Sequence, residues 1–152
     1  MSAPTMIREA VVRYRGSRRR VAEAIRGPAD AARFVRGVIA NDAREHFLVL
    51  MLDGRHRPIA YQTVSIGTAT ASLVHPREVF QAAVGLGACG VIIAHNHPSG
   101  DPSPSREDRD ITQRLVKAGD LLGIRLLDSV VIGEGAHVSL REEDPQGFSG
   151  TA

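Results

Sequence analysis

Residues 90–112 read "GVIIAHNHPSGDPSPSREDRDIT", and the reading of this stretch decides the fold. Val91 to Ala94 form a short, largely β-branched apolar run, suited to a central strand buried on both faces. Gly100, Pro102 and Pro104 then interrupt regular structure and suit a loop that folds the chain back. "SRED", Ser105 to Asp108, is a capped helix start, with Ser105 or Ser103 as the cap. A strand, a turning loop and a helix in this order imply a sheet with helices on its faces.

Working outward, "DITQRLVKAGDLLG" continues the helix to a stop at Gly123, and "IRLLDSVVIG" and "AHVSL" read as the final strands. "REEDPQGFSGTA" is a polar tail expected to fray. Upstream, "GPADAARFVRGVIAND" predicts a helix with Pro28 in its first turn and a stripe of Ala32, Val35, Val38 and Ile39. "EHFLVLMLD" reads as a buried strand, and "IAYQTVSIG" follows at hairpin distance across the turn "DGRHRP". "HPREVFQAAVGLG" is a short helix opened by Pro76 and stopped by Gly87. The order helix, two strands, helix, strand, helix, strands predicts an α/β or α+β domain, a sheet flanked by helices.

Composition narrows the class. The chain has 152 residues, 43% of them hydrophobic and 24% charged, which suits one globular domain with its own core. No apolar run approaches the length of a membrane span, so no membrane partner is expected. The first residues carry no apolar signal core, which predicts a cytosolic protein. Cys89 is the single cysteine, which excludes an internal disulfide and a thiolate metal cage. Its neighbours in "GLGACGVII" are small and apolar, so it is expected in the core rather than in catalysis.

Charge is unevenly spread. Residues 1–36 hold nine arginines against Glu9, Glu23 and Asp30, a net of +6 within a chain whose total is +2. This basic arm points to weak nucleic-acid contact, although no aromatic stacking platform accompanies the charge. Eighteen arginines against the single Lys117 also fit a codon-biased, solvated face.

The chemistry lies around His95. In an extended strand, residues two apart share a face, so His95 and His97 can aim both imidazoles at one point. Asp108 would return in the first turn of the next helix, its carboxylate facing them. Two nitrogens and one oxygen with a fourth position open make a catalytic zinc arrangement rather than a structural one. Hydrolysis also needs a base near the metal, and Glu45, an acid heading the apolar run "EHFLVLML", is the best candidate. Ser105 is a candidate hydrogen-bond donor to an oxyanion. The competing reading makes "SRED" a cap and nothing more. His46, His56, His75 and His137 are expected to be structural or solvated.

At these residues the sequence resembles the RadC family, within the larger JAB/MPN (JAMM) metalloprotease group. That group's motif is a distant Glu, then His-x-His, seven residues, Ser, two residues and Asp; here Glu45, His95, His97, Ser105 and Asp108 match without a change of spacing. The strings "REHFLVL", "ASLVHPREVF", "AHNHPSGDPSPSREDRDIT" and "LLGIRLLD" carry the RadC resemblance across about residues 28–141. The resemblance implies a JAB/MPN fold, similar to the cytidine deaminase-like fold. It implies one zinc on His95, His97 and Asp108, and peptide or isopeptide hydrolysis with Glu45 as base. Deamination is disfavoured because the Pro-Cys-x-x-Cys ligand pair is absent.

Two departures stand out. Residues 1–27, an arginine-rich arm, are too short for the helix-hairpin-helix domain that usually precedes this one, which suggests a short form: arm, domain over 28–141, polar tail over 142–152. Ser129 also replaces the histidine of the usual "LLDH". The alternative to a hydrolase is a DNA-associated binding module, of the DNA-repair or mobile-element kind, with a structural or vestigial metal site.

Overall fold

Strand β3 (Gly90–Asn96) sits at the centre of the sheet because Val91, Ile92, Ile93 and Ala94 can be buried on both faces. In the computed structural model, which describes residues 6–11, 13–16, 23–39, 43–67 and 74–149, it is the middle of five strands. β1 (Glu45–Leu52), β2 (Pro58–Gly67), β4 (Arg125–Ile132) and β5 (His137–Ser139) complete the order β2-β1-β3-β4-β5. β1 pairs antiparallel with β2 and β3, β3 runs parallel to β4, and β5 closes antiparallel on β4. The sheet is therefore mixed. β1 is buried along all eight residues, as its unbroken apolar run predicts.

Helices cover both faces. α1 (Pro28–Arg36) lies on one, where Ala31, Ala32 and Val35 meet Leu50, Ile92 and Val130. α2 (Pro76–Leu86) and α3 (Arg106–Leu122) lie on the other, where Val79, Phe80 and Leu115 meet Phe47, Val49 and Ile93. α3 approaches β4 closely at Gly119: a Cβ there would collide with the carbonyl of Ile124 and crowd the Phe80 ring. Only hydrogen fits between helix and strand. Among the described residues no helix is long and apolar enough to cross a membrane.

Three expectations need correction. α1 ends at Arg36, not near Asp42, because Gly37 closes it with bonds to the carbonyls of Arg33 and Phe34; Val38 and Ile39 continue only as a turn. Residues 40–42 lie outside the described set. The stretch after β5 is folded rather than frayed: α4 (Leu140–Glu143) leads to a 3₁₀ turn, Pro145–Phe148, and Phe148 is 7% exposed within the main core. Leu140 and Phe148 enter that core, and the Arg141 N–H donates to Asp128 while Arg109 pairs with Glu143, so the segment is docked by both burial and bonds. Cys89 is exposed, because Ala88 and Gly90 take the inward positions on either side of it.

Of the arginine-rich arm, residues 6–11 and 13–16 are described; they are exposed and carry no helix or strand, and Tyr14 donates its hydroxyl to the Gly85 carbonyl. Arg18, Arg19 and Arg20 lie outside the described residues.

Candidate metal centre

The end of β3 and the start of α3 meet as the loop geometry requires. His95 and His97 bring their Nε2 atoms to 3.2 Å from each other. Asp108 places Oδ1 3.0 Å from His95 Nε2 and Oδ2 3.1 Å from His97 Nε2. The return of Asp108 depends on the helix cap: the Ser105 backbone N–H donates to Asp108 Oδ2 at 2.8 Å, and the Asp108 N–H donates to Ser105 Oγ at 3.1 Å. One carboxylate thus closes the capping box and faces both imidazoles. The capping and chemical readings of "SRED" are not exclusive.

The loop between them is tied down from the side of β4. The His97 N–H donates to the Ile132 carbonyl at 2.9 Å, and the Glu134 N–H donates to the Gly100 carbonyl at 2.8 Å. Gly100 sits at φ 86, a left-handed conformation that glycine adopts without strain, and a Cβ there would press on Glu134. Arg36 of α1 braces the same β4–β5 turn by donating to the Gly133 and Ala136 carbonyls.

Each imidazole is oriented differently. His97 Nδ1 lies 2.9 Å from the Asp101 carbonyl oxygen, which can only accept, so Nδ1 carries a proton and Nε2 is the nitrogen turned to the cluster. His95 is 1% exposed and its Nδ1 has no hydrogen-bond partner among the described residues. Its ring is held instead by stacking on Phe47, centroids 5.8 Å apart and planes 8° from parallel.

Burial by itself works against ionisation of Asp108, but the hydrogen bond and charge of His95 and the two bonds from Ser105 outweigh it. The carboxyl is held well below the usual carboxylate range. The carboxylate oxygens lie about 3 Å from the two Nε2 atoms, a spacing that a shared cation, either a proton or a metal ion, makes favourable. Donor atoms on a tetrahedral zinc with bonds of ~2.0–2.1 Å lie ~3.3 Å apart. The imidazole nitrogens stand 3.2 Å apart, near that value, and Asp108 turns one oxygen to each of them, Oδ1 at 3.0 Å and Oδ2 at 3.1 Å.

Glu45 heads β1 and brings Oε1 to 3.9 Å from His97 Nε2. Glu45, His95 and His97 each offer a ligand atom within 4.8 Å of the others, so this cluster could hold a metal ion. Asp108 lies nearer to His97 Nε2 than Glu45 does. The cluster opens to solvent on the His97 side, whose side chain is 17% exposed against 2% for Asp108.

All five residues singled out in the sequence, Glu45, His95, His97, Ser105 and Asp108, therefore meet in one place. His46 is buried rather than solvated, and His56 and His75 are exposed in a turn and a helix entry. Ser129 is buried in β4, pairs with Ile93, and leaves its hydroxyl oxygen without a partner among the described residues. Two contributors were not legible in advance: the Asp101 carbonyl, a backbone group with no sequence signal, and Asn96, hidden between two histidines.

Comparison with known proteins gives the arrangement a context. A family model described as a RadC-like JAB domain matches residues 25–145. A UPF0758 protein of Caldanaerobacter subterraneus subsp. tengcongensis is 54% identical over 101 residues, covering 66% of this chain and 43% of that one. A UPF0758 protein of Rubrobacter xylanophilus is 50% identical over 118 residues, 78% of this chain and 52% of its own. One of Trichlorobacter lovleyi is 46% identical over 130 residues, 86% and 56% respectively. The chain thus spans about half the length of the curated relatives it matches. With the match running from residue 25 to residue 145 and a five-stranded mixed sheet flanked by helices, the chain belongs to the RadC-like JAB domain family and has the JAB/MPN fold.

Proposed function

We propose that the chain is a zinc-dependent hydrolase of the JAMM type, acting in the cytosol on a peptide or isopeptide bond. The observation that carries this reading is the convergence of His95, His97 and Asp108 at 3.0–3.2 Å, with the Glu45 carboxylate standing off at 3.9 Å. In this reading His95, His97 and Asp108 hold the metal and Glu45 is the base. A zinc ion held there would supply Lewis acidity towards a carbonyl and a water.

The chain's own groups do the rest. The substrate enters beside His97, the exposed side of the cluster, and brings its carbonyl towards Ser105. The Ser105 hydroxyl, whose oxygen accepts from the Asp108 N–H, turns its hydrogen from the Asp108 carboxylate to the developing oxyanion. Glu45 takes a proton from the attacking water as the new C–O bond forms. It passes that proton to the leaving nitrogen as the C–N bond breaks, so the carboxylate is regenerated. The Asp101 carbonyl keeps the His97 Nε2 lone pair directed at the site throughout.

Chain purified without chelator is expected to hold about one zinc, and only the zinc-loaded form should cleave members of a mixed peptide library or a lysine-linked isopeptide conjugate. Absence of zinc from such protein would count heavily against the reading.

A second reading rests on Arg8, Arg13 and Arg15, which are exposed along the N-terminal arm. We propose that they give weak, sequence-independent contact with nucleic acid. Binding of duplex DNA should then fall steeply between ~50 and ~200 mM salt. Binding indifferent to salt, or unchanged when residues 1–22 are deleted, would dispose of it.

A further inference from the structure

The β1–β3 ladder stops one step before the base. Its last backbone pair is Phe47 with His95, although the register would next bring His46 opposite Asn96. At that point β3 stays with β4, where Asn96 pairs with Ile132, while β1 keeps its pairing with β2, His46 with Ile66 and Glu45 with Gly67. The side chain of Asn96 fills the gap. Its Oδ1 accepts from the His46 N–H at 2.7 Å, and its Nδ2 donates to the Arg44 carbonyl at 3.0 Å. The partners fix which end of the amide is which, since an N–H needs the oxygen and a carbonyl needs the nitrogen.

Those two backbone groups are not arbitrary neighbours. The Arg44 carbonyl belongs to the peptide unit before the Glu45 Cα, and the His46 N–H belongs to the unit after it. Pinning both planes restrains φ and ψ of Glu45 together, and with them the direction of its side chain. Asn96 itself makes no bond to His95, His97 or Asp108.

We infer that Asn96 is a positioning residue for hydrolysis, a carboxamide that continues the β1–β3 pairing past the last backbone pair and, with the β2 ladder on the other side, holds Glu45 at its distance from the metal ligands. This rests on the assignment of Glu45 as base in the function proposed above. The asparagine of "HNH" thereby links the two halves of the site: its flanking histidines are the proposed metal ligands, while its own side chain secures Glu45, fifty-one positions upstream.

The test uses Asn96→Ala and Asn96→Asp in the zinc-loaded full chain. The probe is whichever library peptide the wild type cleaves. Asn96→Ala should lower kcat by about 10- to 100-fold, the scale of an ångström-sized misplacement of a reacting group. KM and zinc content should stay within about a factor of two, and exchange of the His46 amide should speed up by roughly tenfold or more. Asn96→Asp keeps the acceptor for His46 but opposes the Arg44 carbonyl with negative charge, so it should fall in between. In a Glu45→Gln background, Asn96→Ala should cost nothing further, because it acts through Glu45.

Full kcat in both Asn96 variants would overturn the inference. So would parallel loss of zinc, or an equal loss of kcat in the Glu45→Gln background. A wild type that cleaves nothing would instead overturn the hydrolase reading itself, a result distinguishable from any of these.

Discussion

Glu45→Gln is expected to retain about one zinc per chain while losing turnover by about 10³-fold or more, within the range that removal of a positioned general base produces. The exchange is nearly isosteric, so β1 should stay in place, anchored by Phe47, Val49 and Met51 in the main core. What changes is the loss of a proton acceptor 3.9 Å from His97 Nε2. The same variant separates two readings of the cluster. If Glu45 were a ligand with His95 and His97, zinc would leave along with activity; if it is the base, elemental analysis should find the metal still bound. Retained turnover would remove Glu45 from the reaction altogether. A metal-loaded, inactive variant would also serve to capture the physiological substrate.

The second large effect is on the metal. Asp108→Asn should reduce zinc from about one per chain to near none while leaving the fold close to wild type. The amide oxygen can still accept the Ser105 N–H, so the start of α3 keeps its cap, but the charge that faces both imidazoles is gone. Asp108→Ala should lose the zinc and also about 1 kcal/mol of stability, the usual cost of losing a capping interaction. Comparing the two variants by metal content and thermal midpoint therefore separates ligation from capping. Stoichiometric zinc in Asp108→Asn would rule out the three-ligand set. His95→Ala should also release the metal, but it removes a 1%-exposed ring stacked on Phe47 and so damages the core as well.

Much of this was legible in the sequence because several local rules agree. Val91 to Ala94 dictate a buried strand, the glycine and prolines dictate a turn, and Ser105 with Asp108 dictates a helix start. Once those three are granted, period-two alternation aims His95 and His97 together, and the cap brings Asp108 back. From the residues themselves Glu45 reads only as an acid heading an apolar run, and the JAMM resemblance is what ties it to the histidines; its proximity to His97 comes from the β1–β3 register, which a single chain pattern does not encode.

The misses have the same physical origin. Cys89 has core-like neighbours, yet a residue just before a strand alternates with them and faces out. Phe148 lies in a polar stretch, and only tertiary docking shows that it joins the core. Asn96 was passed over because alternation takes it off the face shared by His95 and His97. Its role depends on where a neighbouring strand happens to end.

The double duty of Asp108 has a consequence for how such a chain can change over time. In the proposed hydrolase Glu45 contributes through chemistry, and its replacement by a neutral residue should leave the strand's packing largely untouched. Asp108 still contributes to the helix start in a chain that no longer binds metal. A lineage drifting towards a non-enzymatic role would therefore be expected to shed its base early and its third ligand late. The hydrogen bonds between Ser105 and Asp108 would then persist as the fossil of a site whose activity had already gone.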